Sequence, residues 1–435
     1  MNFNKNLIIC ALLAVMLLCC VSAVSASEDL SNMTLADEND DVISNEVSDD
    51  VISNEVSDDV LDEQDNTIYV DPSYIGMVEK GTQDQPYTTI SGAVKGVHSD
   101  KSTIYIKNGT YSITSNIQLP ADYGVTFVGE STDGVTINSG SGNSYFYMFS
   151  GNLNGNNIVF KDLTFVNTGR SQALNIAGEG NLDIIDCSFD KFSSYSGSSS
   201  AFVISTTTSA IKNSEITNLN SWNNNGPAYM TYGSGNHVID DVVMDKFTGS
   251  YSLKGGVISV ASQAAIDATS LTISNINAAI NNGLIHVSGN ANIRNSNFKK
   301  NALKTGSSVS VVNSLFHVDN GNLTVLDSTI SDNSGFNYLV YQDGENASVV
   351  MNYNSIMNSV YKIDALRNTS AYDLNDNWWG VNVKPNDFVD SWVFMDLTIN
   401  KNNLDVDITA DFNKCTDGNN TYDLGRTMVF PVHFK

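Results

Sequence analysis

Basic residues are scarce in this chain. Its 22 Lys and Arg stand against 48 Asp and Glu, for a formal charge of −26. A surface of that sign cannot neutralise a phosphate backbone, which excludes DNA and RNA as partners and argues against adsorption to anionic lipid. Arginine is limited to Arg170, Arg294, Arg367 and Arg426. Cysteine is equally thin: there are five, of which Cys10, Cys19 and Cys20 lie close to the start and only Cys187 and Cys415 remain, far apart. A disulfide framework therefore does not hold this chain together. Proline occurs six times in 435 residues, and after the first 26 no apolar run is long enough to cross a bilayer.

What is abundant is Asn, Ser, Thr and Gly, on a chain that is still 41% hydrophobic and able to bury a core. That is the composition of a β-rich extracellular repeat protein. Residues 1–26 carry Lys5, an apolar run over 7–21 and the small-residue site V-S-A at 24–26, which predicts a signal peptide and secretion. Residues 27–65 are acidic and without Lys or Arg, and contain D-V-I-S-N-E-V-S-D twice, at 41–49 and 50–58. Like charges and little apolar mass predict a disordered spacer there.

From residue 66 the texture changes. Ile68, Tyr69 and Val70 read as a strand, and Ile90, Ala93, Val94 and Val97 fall at helical spacing. Further on, N-I-V-F-K-D-L-T-F at 157–165 returns as N-L-D-I-I-D-C-S-F at 181–189 and N-L-T-V-L-D-S-T-I at 322–330. A unit recurring about every two dozen residues is one turn of a solenoid stacked on itself. Aligned on this unit, Phe165, Phe189, Ile216, Met244, Ile273, Phe298, Ile330 and Ile356 share one inward place. Three residues before them stand Asp162, Asp186, Asn213, Asp241, Ser270, Asn295, Asp327 and Tyr353. All but Tyr353 are short polar residues suited to a corner between strands. Cys187 takes the inward place of Leu163 and reads as a small buried hydrophobe. Val312 to Phe316 falls out of period and is expected on another face of an enlarged coil.

The run from Tyr69 through P-Y-T-T-I-S-G-A-V at 86–94, I-Y-I-K-N-G-T-Y at 104–111 and V-T-F-V-G-E at 125–130 resembles the opening turns of pectin-lyase-like right-handed parallel β-helices. That resemblance implies a short helix capping the first turn. N-D-N-W-W-G-V-N at 375–382 is similar to the closing turn of adhesin-like surface proteins of methanogenic archaea. Trp378 and Trp379 there read either as packing or as a sugar-stacking pair. Strand-like segments after 391 resemble the start of an immunoglobulin-like stalk. The expected organisation is thus a leader at 1–26, a spacer at 27–65, an all-β right-handed single-stranded parallel β-helix at 66–390, and an incomplete Ig-like β-sandwich at 391–435.

Function is less legible. Lyases on this scaffold pair acidic calcium ligands with an arginine; hydrolases use paired carboxylates. Arg294 lies in a turn with no evident acidic neighbour. H-V-I-D-D at 237–241 is the best hydrolase candidate, with Asp240 outward and Asp241 at a corner. His237, His286 and His317 are scattered, without metal-ligand spacing. The expectation is therefore a non-catalytic, secreted, adhesin-like protein needing no cofactor or metal. It would present a polar face to glycans or surface components of other cells. Weak ligand-binding candidates are Trp222, Tyr229 and Tyr232, in the polar-aromatic stretch 221–232, and Tyr195; Tyr145 and Tyr147 are further aromatic candidates. The alternatives are a polysaccharide lyase or glycoside hydrolase, and a structural envelope protein. Possible glycosylation sequons stand at Asn32, Asn108, Asn322, Asn346, Asn368 and Asn419.

Overall fold

The computed structural model of the chain describes residues 66–140, 145–194, 200–221, 228–247, 253–304, 313–359, 371–402, 405–426 and 428. The expected leader, the acidic spacer and the candidates Tyr195, Trp222, Asn32 and Asn368 lie outside them.

Successive strands of the central region pair in parallel with the turn before and the turn after, along three faces around one lumen: a first sheet through 157–161, 181–185 and 208–212, a second through 164–166, 188–190 and 215–217, and a third through 149–152, 174–177 and 202–205. The register bears out the repeat alignment residue by residue. Phe165 pairs with Phe189, Phe189 with Ile216, and Ile216 with Met244. The column continues through Ile273, Phe298 and Ile330 to Ile356. Alternation along a strand sends these side chains to one face, and every one is buried. Phe165 and Phe189 stack with ring centroids 4.6 Å apart and 5° between planes. This is a parallel β-helix.

The bends explain why the chain coils. Asp162, Asp186, Asn213, Asp241, Ser270, Asn295, Asp327, Tyr353 and Asp376 all have φ between 47° and 62°. Left-handed backbone costs most residues about 1–2 kcal/mol, less for Asp and Asn, whose short polar side chains bond locally. Tyr353 adopts the same bend despite its ring. The Arg426 guanidinium lies 4.4 Å from the ring centroid, and the ring packs on the small core that includes Trp378 and Phe412. A second left-handed column follows five residues after the first: Lys191, Asn218, Lys246, Asn275, Lys300, Asp332 and Asn358. The second sheet thus has the same corner-to-corner length in each of these turns. Whole turns are not of constant length: the shortest between first corners runs from Tyr353 to Asp376 and the longest from Asn295 to Asp327. The variation falls in the links into and out of the third sheet and in that sheet itself.

A bend frees backbone N–H groups that a flat ladder would pair, and buried side chains take them up. The Ser296 N–H donates to Ser328 Oγ at 3.1 Å, Ser328 N–H to Asn354 Oδ1 at 2.9 Å, and Asn354 N–H to Asn377 Oδ1 at 2.8 Å. Asn301 and Asn333 form a matching ladder behind the second corner. Cys187 occupies the equivalent place lower down, buried as expected, and burial pushes its thiol up to about 12.

The first turn is closed by helix α1 (Ile90–Lys95), N-capped by Thr89, whose Oγ1 accepts from the Gly92 N–H. Its buried Ile90, Ala93 and Val94 join the core with Val70 and Ile104, as the helical spacing and the resemblance require. At the other end, Trp378 is buried edge-on against Phe412, centroids 5.2 Å apart, which decides its role in favour of packing. Residues 392–423 form a three-stranded antiparallel sheet.

Candidate functional site

The sequence candidates do not come together. Tyr229 and Tyr232 are both fully buried, with 0% of their surface exposed. Tyr232 lies in a strand (Met230–Phe247) where it pairs with Ile204 and Val260, both lumen residues. Burial pushes both phenols well above the usual tyrosine range. They are core residues, which corrects the reading of 221–232 as one surface insert. Tyr145 is 41% exposed and receives a hydrogen bond from Arg170, while the Tyr147 hydroxyl donates to the Ser200 carbonyl. Asn108, Asn322, Asn346 and Asn419 are exposed. The Asn322 amide donates to Asn290 Oδ1 on the neighbouring turn at 2.7 Å.

The H-V-I-D-D segment lies on the first sheet. His237 points inward, its Nε2 2.6 Å from the Ser234 carbonyl and its Nδ1 2.8 Å from Ser209 Oγ. Burial lowers its pKa. Asp241 makes the corner, as expected. Asp240 faces outward, in register with Lys212 below and Thr269 above, and Arg294 follows Thr269. Asp240 and Arg294 are therefore two turns apart, roughly 10 Å at the usual inter-strand spacing, with a threonine between them.

The third sheet carries the constellation the sequence conceals. Ser259 pairs with His286, His286 with His317, and His317 with Tyr341. The residues flanking them, such as Ile285, Val287, Phe316, Val318 and Val340, are buried in the lumen. Alternation therefore turns the Ser-His-His-Tyr column outward. Two residues further along the same face stand Ser288, Asp319 and Asp343. The Asp319 N–H bonds the Val287 carbonyl at 2.8 Å, and the Asp343 N–H bonds the Val318 carbonyl at 3.0 Å.

The rings touch. His286 and His317 meet edge-on with centroids 5.2 Å apart, and His317 and Tyr341 at 5.1 Å. Ser259 Oγ lies 3.4 Å from His286 Nδ1. Gly283, at φ +82°, lies directly against His317; a Cβ there would sit 2.7 Å from the His317 amide nitrogen. His317 is 5% exposed, and its Nδ1 is buried without a hydrogen-bond partner among the described residues. Burial and the neighbouring His286 lower its pKa to about 4, against the opposing pull of Asp343 and Asp319. His286 is lowered too, chiefly by burial. Both imidazoles are neutral near pH 7, so each offers a lone pair beside two carboxylates. Among the described residues, no three His, Cys, Asp or Glu side chains are placed to hold a metal ion.

No protein-family description and no curated protein matches the chain. Solved structures do. Pectate lyase Pel9A is 13% identical over 70% of this chain and 79% of its own, with a TM-score of 0.37. The A-module of the mannuronan C-5 epimerase AlgE6 of Azotobacter vinelandii is 13% identical, covering 66% of this chain and 94% of that module, at 0.34. A pectin methylesterase from carrot is 14% identical over 74% and 85%, at 0.33. At such identities the likeness is one of fold. These proteins are enzymes, so the expectation of a non-catalytic chain is withdrawn, although a likeness of fold assigns no activity.

Most of the longest turn, Asn295 to Asp327, separates His286 from His317, and no fixed-period alignment superposes them. The signal that could have found them is local. I-H-V at 285–287 and F-H-V at 316–318 are the same inward-outward-inward triplet.

Proposed function

We propose that the chain is a polysaccharide-acting enzyme whose acid–base groups lie on the outward face of the third sheet. One observation carries the reading: the in-register stack of His286, His317 and Tyr341, flanked on adjacent turns by Asp319 and Asp343. Cleaving a glycosidic bond takes one group to protonate the leaving oxygen and another to activate water or attack the anomeric carbon. Asp319 is half-buried, its Oδ1 held at 3.0 Å by the Asn320 amide. Asp343 is exposed. A neutral His317 beside them accepts a proton or orients a hydroxyl. The flat, repetitive face suits an extended polymer, since equivalent positions recur on every turn.

Incubation with a panel of polysaccharides, read as release of reducing ends, tests this. Activity falling at least about 100-fold in Asp319→Asn and in His317→Ala, the ordinary weight of one acid–base group, supports it. Unchanged activity in both variants removes this face from the reaction. We place the activity outside the cell, in contact with glycans of cell surfaces. The basic start, apolar run and V-S-A site of residues 1–26 support that placement. Recovery of the native chain from the soluble interior, with residues 1–26 still attached, would oppose it.

A further inference from the structure

The described strands of the third sheet contain no lysine and no arginine. This holds along each described stretch of that sheet, 147–154, 172–179, 202–206, 230–234, 258–263, 285–288, 314–319 and 338–343. The only charged residues in them are Glu179, Asp319 and Asp343, all acidic. The other two sheets differ. Lys161, Lys212 and Arg294 face outward from the first, and Lys299 from the second, whose corner carries Lys191, Lys246 and Lys300. Among the described residues, cations are thus present on the other two sheets but absent from the one where histidine, tyrosine and aspartate are stacked.

We infer that the polymer taken by the third-sheet face is an uncharged glycan, not a polyuronate. The inference rests on the catalytic reading above and narrows its substrate. A uronate brings one carboxylate per sugar. Held against Asp319 and Asp343 it meets like charge, and no guanidinium or ammonium of the sheet offsets it. Eliminative cleavage of a uronate also needs its carboxylate neutralised while the neighbouring proton is removed, and these strands supply no group for that task. Lys254 and Lys304, exposed in the links before the sheet, and Arg170, which bonds Tyr145 in such a link, lie ahead of the strands and do not change this. The charged groups acting on His286 and His317 are Asp319, Asp343 and the imidazoles themselves.

The rest of the face is built for hydroxyls. Ser150, Asn175, Val203, Thr231 and Ser259 continue the histidine column toward the N-terminal end, with Asn152, Ala177 and Ser205 beside them; all but Val203 and Ala177 are polar. The polar ones are uncharged donors and acceptors of the kind that sugar hydroxyls match.

Affinity electrophoresis of the full chain tests the inference, in gels containing neutral polymers (β-glucan, α-glucan, mannan, xylan) or polyuronates (polygalacturonate, alginate). The expected result is retardation by at least one neutral polymer, at least tenfold stronger than by either polyuronate, and weakened in Asn175→Ala and Thr231→Ala. Equal or stronger retardation by a polyuronate, or none by any polymer, overturns it. Reducing ends released from a polyuronate and lost in Asp319→Asn would keep the catalytic reading and sink this one. Retardation by a neutral polymer without cleavage of any would do the reverse.

Discussion

Asn354 is the residue whose replacement best tests how the coil is held together. It is fully buried, and its side chain serves three partners. Oδ1 accepts from the Ser328 N–H at 2.9 Å; Nδ2 donates to the Val325 carbonyl at 2.9 Å and to Asn377 Oδ1 at 3.0 Å. Asn377 Oδ1 keeps a second donor, the Asn354 backbone N–H, and the Val325 carbonyl lies within a strand paired on both sides, so the group orphaned on substitution is the Ser328 N–H. Ser328 is buried, at 1% exposure. An unsatisfied group costs about 1–3 kcal/mol, so Asn354→Leu, which fills the volume, should lose about that much. Asn354→Ala should lose less if a water enters the gap and bonds the freed N–H. Guanidinium denaturation followed by circular dichroism, with amide exchange at Ser328, measures this. The exchange should speed up about tenfold for every ~1.4 kcal/mol lost locally. A loss of no more than about 0.5 kcal/mol is what an indifferent surface change produces. If Asn354→Leu stays inside that margin, volume and not the amide ladder sustains the corner, and the reasoning fails.

Two further outcomes follow from the packing and the charges. Phe189→Ala breaks the stack with Phe165 and the edge contact with Phe202 at 5.1 Å; it should destabilise by about 3–5 kcal/mol, read as a lower denaturation midpoint. His317 has a folded pKa of about 4, below an unfolded value of about 6.5. The unfolded chain therefore takes the proton first on acidification. The contribution is intact above about pH 6.5 and is lost as pH falls toward 4, by about 3 kcal/mol in total. His317→Gln should flatten that part of the stability profile, and a profile identical to the parent's would count against a buried neutral imidazole.

The lumen was legible from sequence because stacking demands like residues at like places. Phe165, Phe189 and Ile216 could be aligned by eye, and so could the aspartates and asparagines of the first corner. The second corner was not, since three of its members are lysines, which carry no turn signal; it is the fixed five-residue step that puts Lys191, Lys246 and Lys300 in left-handed backbone. The polar neighbourhood of Tyr229 and Tyr232 conceals their burial. Yet Met230 and Tyr232 alternate with Thr231 as strand residues do, and that period outweighs composition. The histidine column escaped for a different reason. Contacts across a solenoid depend on how much chain each turn spends elsewhere, and no single spacing encodes that.

The constant five-residue step has a mechanical meaning. Two of the three edges of the prism are pinned to a common ruler, so added or deleted chain is absorbed around and within the third sheet without shifting the rungs above and below. Lengthening the links ahead of that sheet would therefore re-contour the wall beside Tyr341 and His286 while every phenylalanine inside keeps its neighbour. A scaffold of this kind can change what it grips by editing one border and leaving its spine alone.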